Sequence, residues 1–378
     1  MVCIDLSAAA QERAGLGRYA ASLAQALVAL GVPLAAFVND LRGSRLAPPL
    51  SELPLRSVRL PRKAWRLRAA ASYLGLTLDS AFQGITLLHA TEHLLPRLRR
   101  VRAVFTLHDT AYLRFPRYHL LQNRVYLTAM MPRFLAQADR IIAVSEATRR
   151  DALNDYSLDP AKIEVIPEGV DQRFKPQSDL ALQAAIRARY ALPAQFILSV
   201  GTIEPRKNLP TLLEAYAALR ARHPGLGLVV AGGKGWLFQD FFDRLRALGL
   251  EQQVRLTGYV ADQDLPGLLS AAEVFAFPSF YEGFGLPPLE AMACGVPVVC
   301  SNTSSLPEVV GQAGLLLPPN NPRAWVEALD QLLANPARRA EMRALGLARA
   351  KEFTWEAAAQ RTLAVYQSVL EAGRADRA

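Results

Sequence analysis

Short apolar runs alternate with helix-forming stretches along the whole chain, and the alternation starts twice. In the first half the runs fall at 2–6, 34–38, 86–89, 103–107, 140–144 and 163–166, with helical stretches such as 17–30 and about 118–138 between them. In the second half they fall at 196–201, 226–232, 254–260, 274–279 and 296–301, with helical stretches at 211–223, about 236–248, about 264–272 and about 287–294. The runs are short and often β-branched, and the stretches between them are rich in Ala and Leu, so each pair reads as a strand followed by a helix. Repeated strand–helix units build parallel sheets with helices on both faces. Two starts in 378 residues imply two such domains. The joint falls at 167–178, PEGVDQRFKPQS, where two prolines, a glycine and polar residues interrupt the pattern. The stretch 354–371, TWEAAAQRTLAVYQSVLE, reads as a closing amphipathic helix with Thr354 as its N-cap.

Composition narrows the class further. Hydrophobic residues are 51% and charged residues 20%, as in globular rather than disordered chains. Cys3, Cys294 and Cys300 form neither a disulfide framework nor a C-x-x-C pair, so a reducing cytoplasm is expected. No run reaches the length of a transmembrane helix. The N-terminus lacks a basic segment ahead of its apolar run, so it reads as a first strand and not a signal peptide. Charge is lopsided: residues 56–150 hold 17 basic against 5 acidic side chains, within a net charge of +9. That excess implies an anionic partner for the first half. Nucleic acid is a poor fit, because no RNP-like, helix-turn-helix or zinc pattern is present.

Chemistry-bearing residues gather where strands end. Gly15 and Gly17 precede a helix, a position where backbone N–H groups approach phosphate. With Ala20 they also fit G-x-G-x-x-A, and Asp40 would be the ribose acid of that dinucleotide reading. Gly15 lies nine positions after Leu6, too far for a tight Rossmann turn, and a plain helix-start pair is the other alternative. His108, in TLHD, ends a strand and is placed to donate a hydrogen bond or move a proton, though such a residue is more often structural. His89 and His93 in HATEH have metal-like spacing but no third ligand near them, so no metal is expected. Arg206 and Lys207 follow the strand 196–201 and suit a diphosphate. Glu282 sits in a glycine-rich turn, YEGFG, suited to sugar hydroxyls, and Glu290 lies farther along the next helix, suited to a ribose diol. Opposed carboxylates of a glycosidase are not expected from one short segment. Asp262 and Asp264 form a D-x-D tripeptide, read as helix capping.

Taken together, the strings GLGRYAASLAQAL, LHDT, IIAVSEATRRD, IEVIPEGVD, SVGTIEPRKNL, TGYV, the E-x7-E stretch and SSLPEVVGQAGLLLPP resemble glycosyltransferase family 4 in order and spacing over nearly the whole chain. The resemblance implies an α/β GT-B fold, two Rossmann-like doubly wound domains facing across a cleft. Residues 1–172 would be the acceptor domain, joined by a final helix at about 355–378, and 173–354 the donor domain. It implies a retaining, metal-independent hexosyltransferase with no cofactor and a nucleotide-diphosphate sugar as donor. Gly15 and Gly17 would offer amides to the diphosphate, and Arg206 and Lys207 would neutralise it. Glu282 would bind donor sugar hydroxyls with the backbone of Gly283, Phe284, Gly285 and Leu286. Glu290 would hold the ribose, the base would lie on Gly258, Tyr259 and Val260, and His108 would sit near the reacting carbon. Thr202 stands where many members have Arg. The string EPRKN matches a subgroup rich in mannosyltransferases, which points to GDP-mannose, with a UDP-sugar as the second choice.

The acceptor expected from this resemblance is a glycan or a polyprenyl-diphosphate-linked sugar in surface polysaccharide or glycolipid assembly. Arg62, Lys63, Arg66, Arg68, Arg97, Arg99, Arg100 and Arg102, with Trp65 in an amphipathic stretch 64–76, would rest on the anionic inner face of a membrane. Alternatives are another GT-B enzyme, such as an epimerase or a glycogen-synthase-like transferase, and a non-catalytic nucleotide-sugar binder.

Overall fold

The computed structural model describes residues 1–43 and 46–375 and divides into two units. The first comprises residues 1–113 and 121–169 together with the chain from Thr354 on; the second comprises Arg114–Leu120 and Val170–Phe353. Residues 376–378 of the expected closing helix lie outside the described residues.

The first unit is built on seven parallel strands: β1 (Val2–Asp5), β2 (Leu34–Asn39), β3 (Leu55–Val58), β4 (Leu87–Ala90), β5 (Arg102–Leu107), β6 (Arg140–Ala143) and β7 (Ile163–Val165). Their order is β3-β2-β1-β4-β5-β6-β7, so the chain reverses direction across the sheet between β1 and β4. β3 is absent from the sequence reading for a physical reason. It is an edge strand, Leu-Arg-Ser-Val, with Leu55 more than half exposed, so it carries no apolar run. Phe37, Phe82, Phe105 and Phe134 fill the core of this unit.

The closing helix Trp355–Ala375 packs on the helix Ala14–Ala29 of the same unit. Thr354 caps it as expected, its Oγ1 accepting the Ala357 N–H at 3.1 Å. A Cβ on Gly169 would overlap the Trp355 backbone, so the chain enters this helix past a residue with no side chain. The Tyr366 hydroxyl bonds His89 Nδ1 at 2.6 Å, and His89 Nε2 bonds Thr106 Oγ1 at 2.8 Å. His89 is thus a buried core histidine with both nitrogens engaged.

The second unit holds six parallel strands: β8 (Gln195–Val200), β9 (Leu226–Ala231), β10 (Val254–Gly258), β11 (Val274–Phe277), β12 (Val298–Ser301) and β13 (Leu315–Leu317), in the order β10-β9-β8-β11-β12-β13. The reversal here lies between β8 and β11. In such sheets ligands bind beyond the carboxyl ends of the strands at the reversal. The three-residue β13 and the helices Leu180–Tyr190, Pro322–Ala334 and Pro336–Ala350 are additions to the sequence reading.

Two expectations are corrected at this level. Asp264 does stand at a helix start, but its side chain makes no cap bond. Its Oδ2 instead accepts from Arg189 at 2.6 Å and from the Tyr190 hydroxyl at 2.7 Å, fastening the helix Leu180–Tyr190 to the start of the helix Leu265–Ser270. Trp65 is 2% exposed and packs 5.5 Å from Phe37, so its indole is a core residue and not a membrane anchor. Among the described residues, no helix is long and apolar enough to cross a membrane.

Candidate active site

The carboxyl ends of β8 and β11 bring the second unit's charged residues together. After β8 the chain turns at Gly201 and runs through Glu204 into the short turn Pro205–Lys207. After β11 it passes Pro278, Ser279 and Phe280 to Glu282. The two loops interlock: the Phe280 N–H donates to the Arg206 carbonyl at 2.9 Å. Asn208, in left-handed backbone at φ 52°, sends its Nδ2 to the carbonyls of Pro278 and Pro319. Neither bond is foreseeable from the sequence, because it depends on which strands become neighbours.

At the centre are four charged side chains. Arg206 Nη1 lies 2.7 Å from Glu282 Oε2, and its Nη2 lies 2.6 Å from Glu204 Oε1. Lys207 Nζ lies 2.7 Å from Glu282 Oε1 and 4.8 Å over the Phe277 ring. The Ser279 hydroxyl donates to Glu282 Oε1 at 2.6 Å. Burial pushes the Glu282 carboxyl up, but Arg206, Lys207 and the bonds from Lys207 and Ser279 outweigh it and hold the group at about 2. Burial lowers Lys207, with Glu282 opposing and Arg206 assisting.

Glu282 is therefore pinned by two cations. Its own N–H is also occupied, donating to Ser304 Oγ at 2.8 Å. Ser305 donates to the carbonyls of Glu282 and Phe284, so Ser304 and Ser305 shape the glycine-rich turn. Their adjacency in SSLPEVV was the only sequence signal for that role.

Gly285 takes φ +122°, which disfavours a side chain, and precedes the helix Leu286–Ala293. Pro287 and Pro288 follow, and neither has an N–H. The amides at the mouth of this helix are therefore those of its N-cap Gly285 and its first residue Leu286. Glu290 is 2% exposed in the same helix.

Glycines end the neighbouring strands. A Cβ on Gly232, after β9, would overlap the Gly201 carbonyl after β8. Gly258 ends β10 at φ +68°, so the expected strand 254–260 stops there. Next to it Tyr259 is 71% exposed and Val260 is buried. An exposed ring beside a glycine edge offers a flat surface to a base.

Both halves of the chain match known family patterns. The pattern described as Glycosyltransferase Family 4 matches residues 13–174, and that described as Glycosyl transferases group 1 matches residues 184–347. The O-antigen chain mannosyltransferase B of Escherichia coli is 37% identical over 311 residues, covering 81% of this chain and 77% of the relative. The chain belongs to the group 1, family 4 glycosyltransferases. A D-inositol 3-phosphate glycosyltransferase of Kineococcus radiotolerans is 40% identical over 261 residues, covering 64% of this chain and 59% of that one, less than two thirds of its length. Among solved structures, sucrose-phosphate synthase from Thermosynechococcus elongatus superposes with a TM-score of 0.79 at 24% identity, covering 98% of this chain and all of the other. HepE of Anabaena, in complex with UDP and glucose, does so with a TM-score of 0.75 at 19% identity, covering 97% and 100%. The fold of this glycosyltransferase is GT-B.

The remaining expected site residues belong to the first unit. The glycosyltransferase's His108 follows β5. Its Nε2 lies 2.9 Å from the Thr91 carbonyl, which only accepts, so this nitrogen carries the proton. Its Nδ1 lies 3.6 Å from Glu168 Oε1, and the Tyr19 ring meets it edge-on at 4.7 Å. Gly15 and Gly17 lie in the first turn of the helix Ala14–Ala29, not in a loop, because the short helix Ser7–Ala10 comes between them and β1. The Gly17 N–H is engaged with the Arg13 carbonyl at 2.6 Å. A Cβ there would sit 2.7 Å from the Ala8 carbonyl oxygen, so its glycine serves close packing of the two helices. Gly15 has open space around it.

Proposed function

We propose that this glycosyltransferase moves a hexose, with mannose favoured, from a nucleotide-diphosphate sugar to a glycan or lipid-linked acceptor in surface polysaccharide assembly, with retention of configuration and without a metal. The observation that carries this reading is the partly buried Arg206–Lys207 pair at the β8–β11 reversal, matched against Glu282. Breaking a sugar–phosphate bond develops negative charge on the leaving diphosphate. Fixed cations in a site shielded from water stabilise that charge strongly, because they need no reorganisation as it forms. A bound diphosphate would compete with Glu282 for both cations, freeing the carboxylate to accept sugar hydroxyls. Glu290 would take the ribose and Tyr259 the base, with GDP the favoured nucleotide and UDP the second choice. His108 has an oxygen facing each ring nitrogen, which suits it to fixed positioning. The departing phosphate would then accept the acceptor's proton. The Escherichia coli relative's name, an O-antigen mannosyltransferase, supports mannose and surface polysaccharide.

The test is the product made from GDP-mannose with EDTA present, read by the anomeric proton in NMR. An α-mannoside is expected. A β-mannoside contradicts retention, and loss of product in EDTA contradicts metal independence.

Membrane contact from the cytoplasmic side belongs to the same proposal. Lys63 and Arg68 are exposed, as are Leu67 at 70%, Leu74 at 88% and Leu76 at 69%. Each cation near an anionic surface contributes about 1 kcal/mol. The protein should float with phosphatidylglycerol vesicles at low salt, and Leu74→Asp should weaken flotation. Failure to float would remove the membrane from the account.

A further inference from the structure

A short stretch of the chain's first half, Arg114–Leu120, folds with the second unit. The chain enters it from the short helix Ala111–Arg114, whose Ala111 and Tyr112 are buried in the first unit. It leaves into the helix Leu121–Gln137, whose Met131 and Phe134 belong to the first unit's core. The stretch is therefore a strap, rooted at both ends outside the unit it packs on. Pro116 opens a single 3-10 turn, Pro116–Tyr118, and side chains three positions apart eclipse in such a turn. Phe115 and Tyr118 have that spacing, and their rings stack at 5.6 Å and 7°.

Two sets of contacts seat the strap, and both lead to Arg206. Tyr118 stacks on Phe280 at 5.6 Å, and the Phe115 ring lies 5.7 Å from that of Tyr281. These two partners hold Arg206 from both ends: the Phe280 N–H donates to its carbonyl at 2.9 Å, and its Nη1 donates to the Tyr281 carbonyl at 2.6 Å. The second anchor is Trp236, whose indole N–H donates to the Tyr118 carbonyl at 2.6 Å. Trp236 follows the glycine-rich loop 232–235, which is bonded to the segment leading into Arg206. There the Ile203 N–H donates to the Gly233 carbonyl at 2.9 Å, and the Gly235 N–H to the Ile203 carbonyl at 3.0 Å. A Cβ on Gly235 would sit 2.5 Å from the Thr202 methyl, so this pairing needs a glycine. The strap thus ties together the loops that follow β8, β9 and β11. Tyr118 and Phe280 also border a cavity of about 140 Å³, lined by Glu204, Asn208 and Phe241 among others. Phe280 therefore has room to move once the Tyr118 ring is cut back.

We propose that Phe115 and Tyr118 are positioning residues of the donor site: through Phe280, Tyr281 and Trp236 they hold Arg206 where a donor diphosphate would meet it. The diphosphate rests on the function proposed above; the coupling of Tyr118 to Arg206 does not.

The test has two arms, both on the whole chain. The first needs no nucleotide: urea unfolding of the native chain, Tyr118→Ala, Arg206→Ala and the double variant. Tyr118→Ala should lower the midpoint of the native chain more than that of the Arg206→Ala chain, because part of its cost passes through Arg206. Equal losses in both chains overturn the proposal. The second arm is calorimetric titration of GDP and of UDP. For whichever binds the native chain more tightly, Tyr118→Ala and Phe115→Ala should each weaken binding by about threefold to tenfold, the range of one aromatic pair. Tyr118→Phe should stay within about twofold of the native chain, the tolerance of independent changes, since it keeps the stack and Trp236 bonds the backbone carbonyl. In the Arg206→Ala chain, Tyr118→Ala should likewise change binding by less than about twofold. A loss of equal size with and without Arg206, or a Tyr118→Ala chain that binds like the native one, overturns the positioning role. If the native chain binds neither nucleotide while urea unfolding still couples Tyr118 to Arg206, the function proposed above is contradicted and the strap is not.

Discussion

Replacing either Arg206 or Lys207 by Ala is expected to lower single-turnover transfer by roughly 10²–10³-fold, the usual cost of removing one fixed donor from developing negative charge. The two losses arise differently. Lys207 is partly buried, and its Nζ faces Glu282 and the Phe277 ring. Lys207→Ala therefore removes a point charge and leaves one Glu282 oxygen with Ser279. Arg206 also bonds the Tyr281 carbonyl at 2.6 Å and Glu204, so Arg206→Ala loosens the loop as well. Arg206→Lys should recover only part of the loss, because an ammonium group cannot span Glu204, Tyr281 and a phosphate together. Rapid-quench assays at saturating donor check this, and a change under threefold in either Ala variant would remove these cations from the chemistry.

Glu282→Ala should lower stability by about 3–5 kcal/mol, because it leaves two cations together in a site largely out of water. Arg206 retains Glu204, so the cost falls mainly on Lys207. Urea unfolding of Glu282→Ala, Lys207→Met and the double variant separates the pair, and the double variant should be the more stable of the two that lack Glu282. The pH dependence has a definite sign. Glu282 is held at about 2, below its ordinary value of 4.5. Its contribution is complete above about 4.5 and is lost as pH falls toward 2. Glu282→Gln should lack that acid limb. An unchanged acid limb would show that the ion pairs do not form in solution.

The parts of the fold visible in the sequence were those that repeat or point along the chain. Strand and helix alternation, the Thr354 cap and the placing of Arg206, Lys207 and Glu282 after strands all follow from local pattern. What pattern does not carry is lateral neighbourhood. The pairing of Arg206 with Glu282 exists because β11 lies beside β8, with Val274 opposite Ile197, 77 positions earlier in the chain. The same limit hid the bonds of Asn208, Ser304 and Ser305. It also misdirected side chains whose types fit two roles. Trp65 and Arg66 suit a membrane surface by composition, yet the helix Arg62–Ser72 turns one into the core and the other onto Tyr126. Asp264 has the type and position of a cap, but Arg189 and Tyr190 reach it first. Gly17 stands in a phosphate-binding string, while its missing Cβ is required by Ala8.

The most direct measurement is the thermal shift given by GDP, UDP, ADP and NAD, each in EDTA, for the native chain and for Glu290→Ala. At 100 times its dissociation constant, a ligand adds about 2.7 kcal/mol to stability. One nucleoside diphosphate, GDP by preference, should raise the midpoint, and Glu290→Ala should abolish the rise without changing the unliganded midpoint by a comparable amount. A shift with NAD alone, or none with any nucleoside diphosphate, would contradict a donor site at the carboxyl ends of β8 and β11.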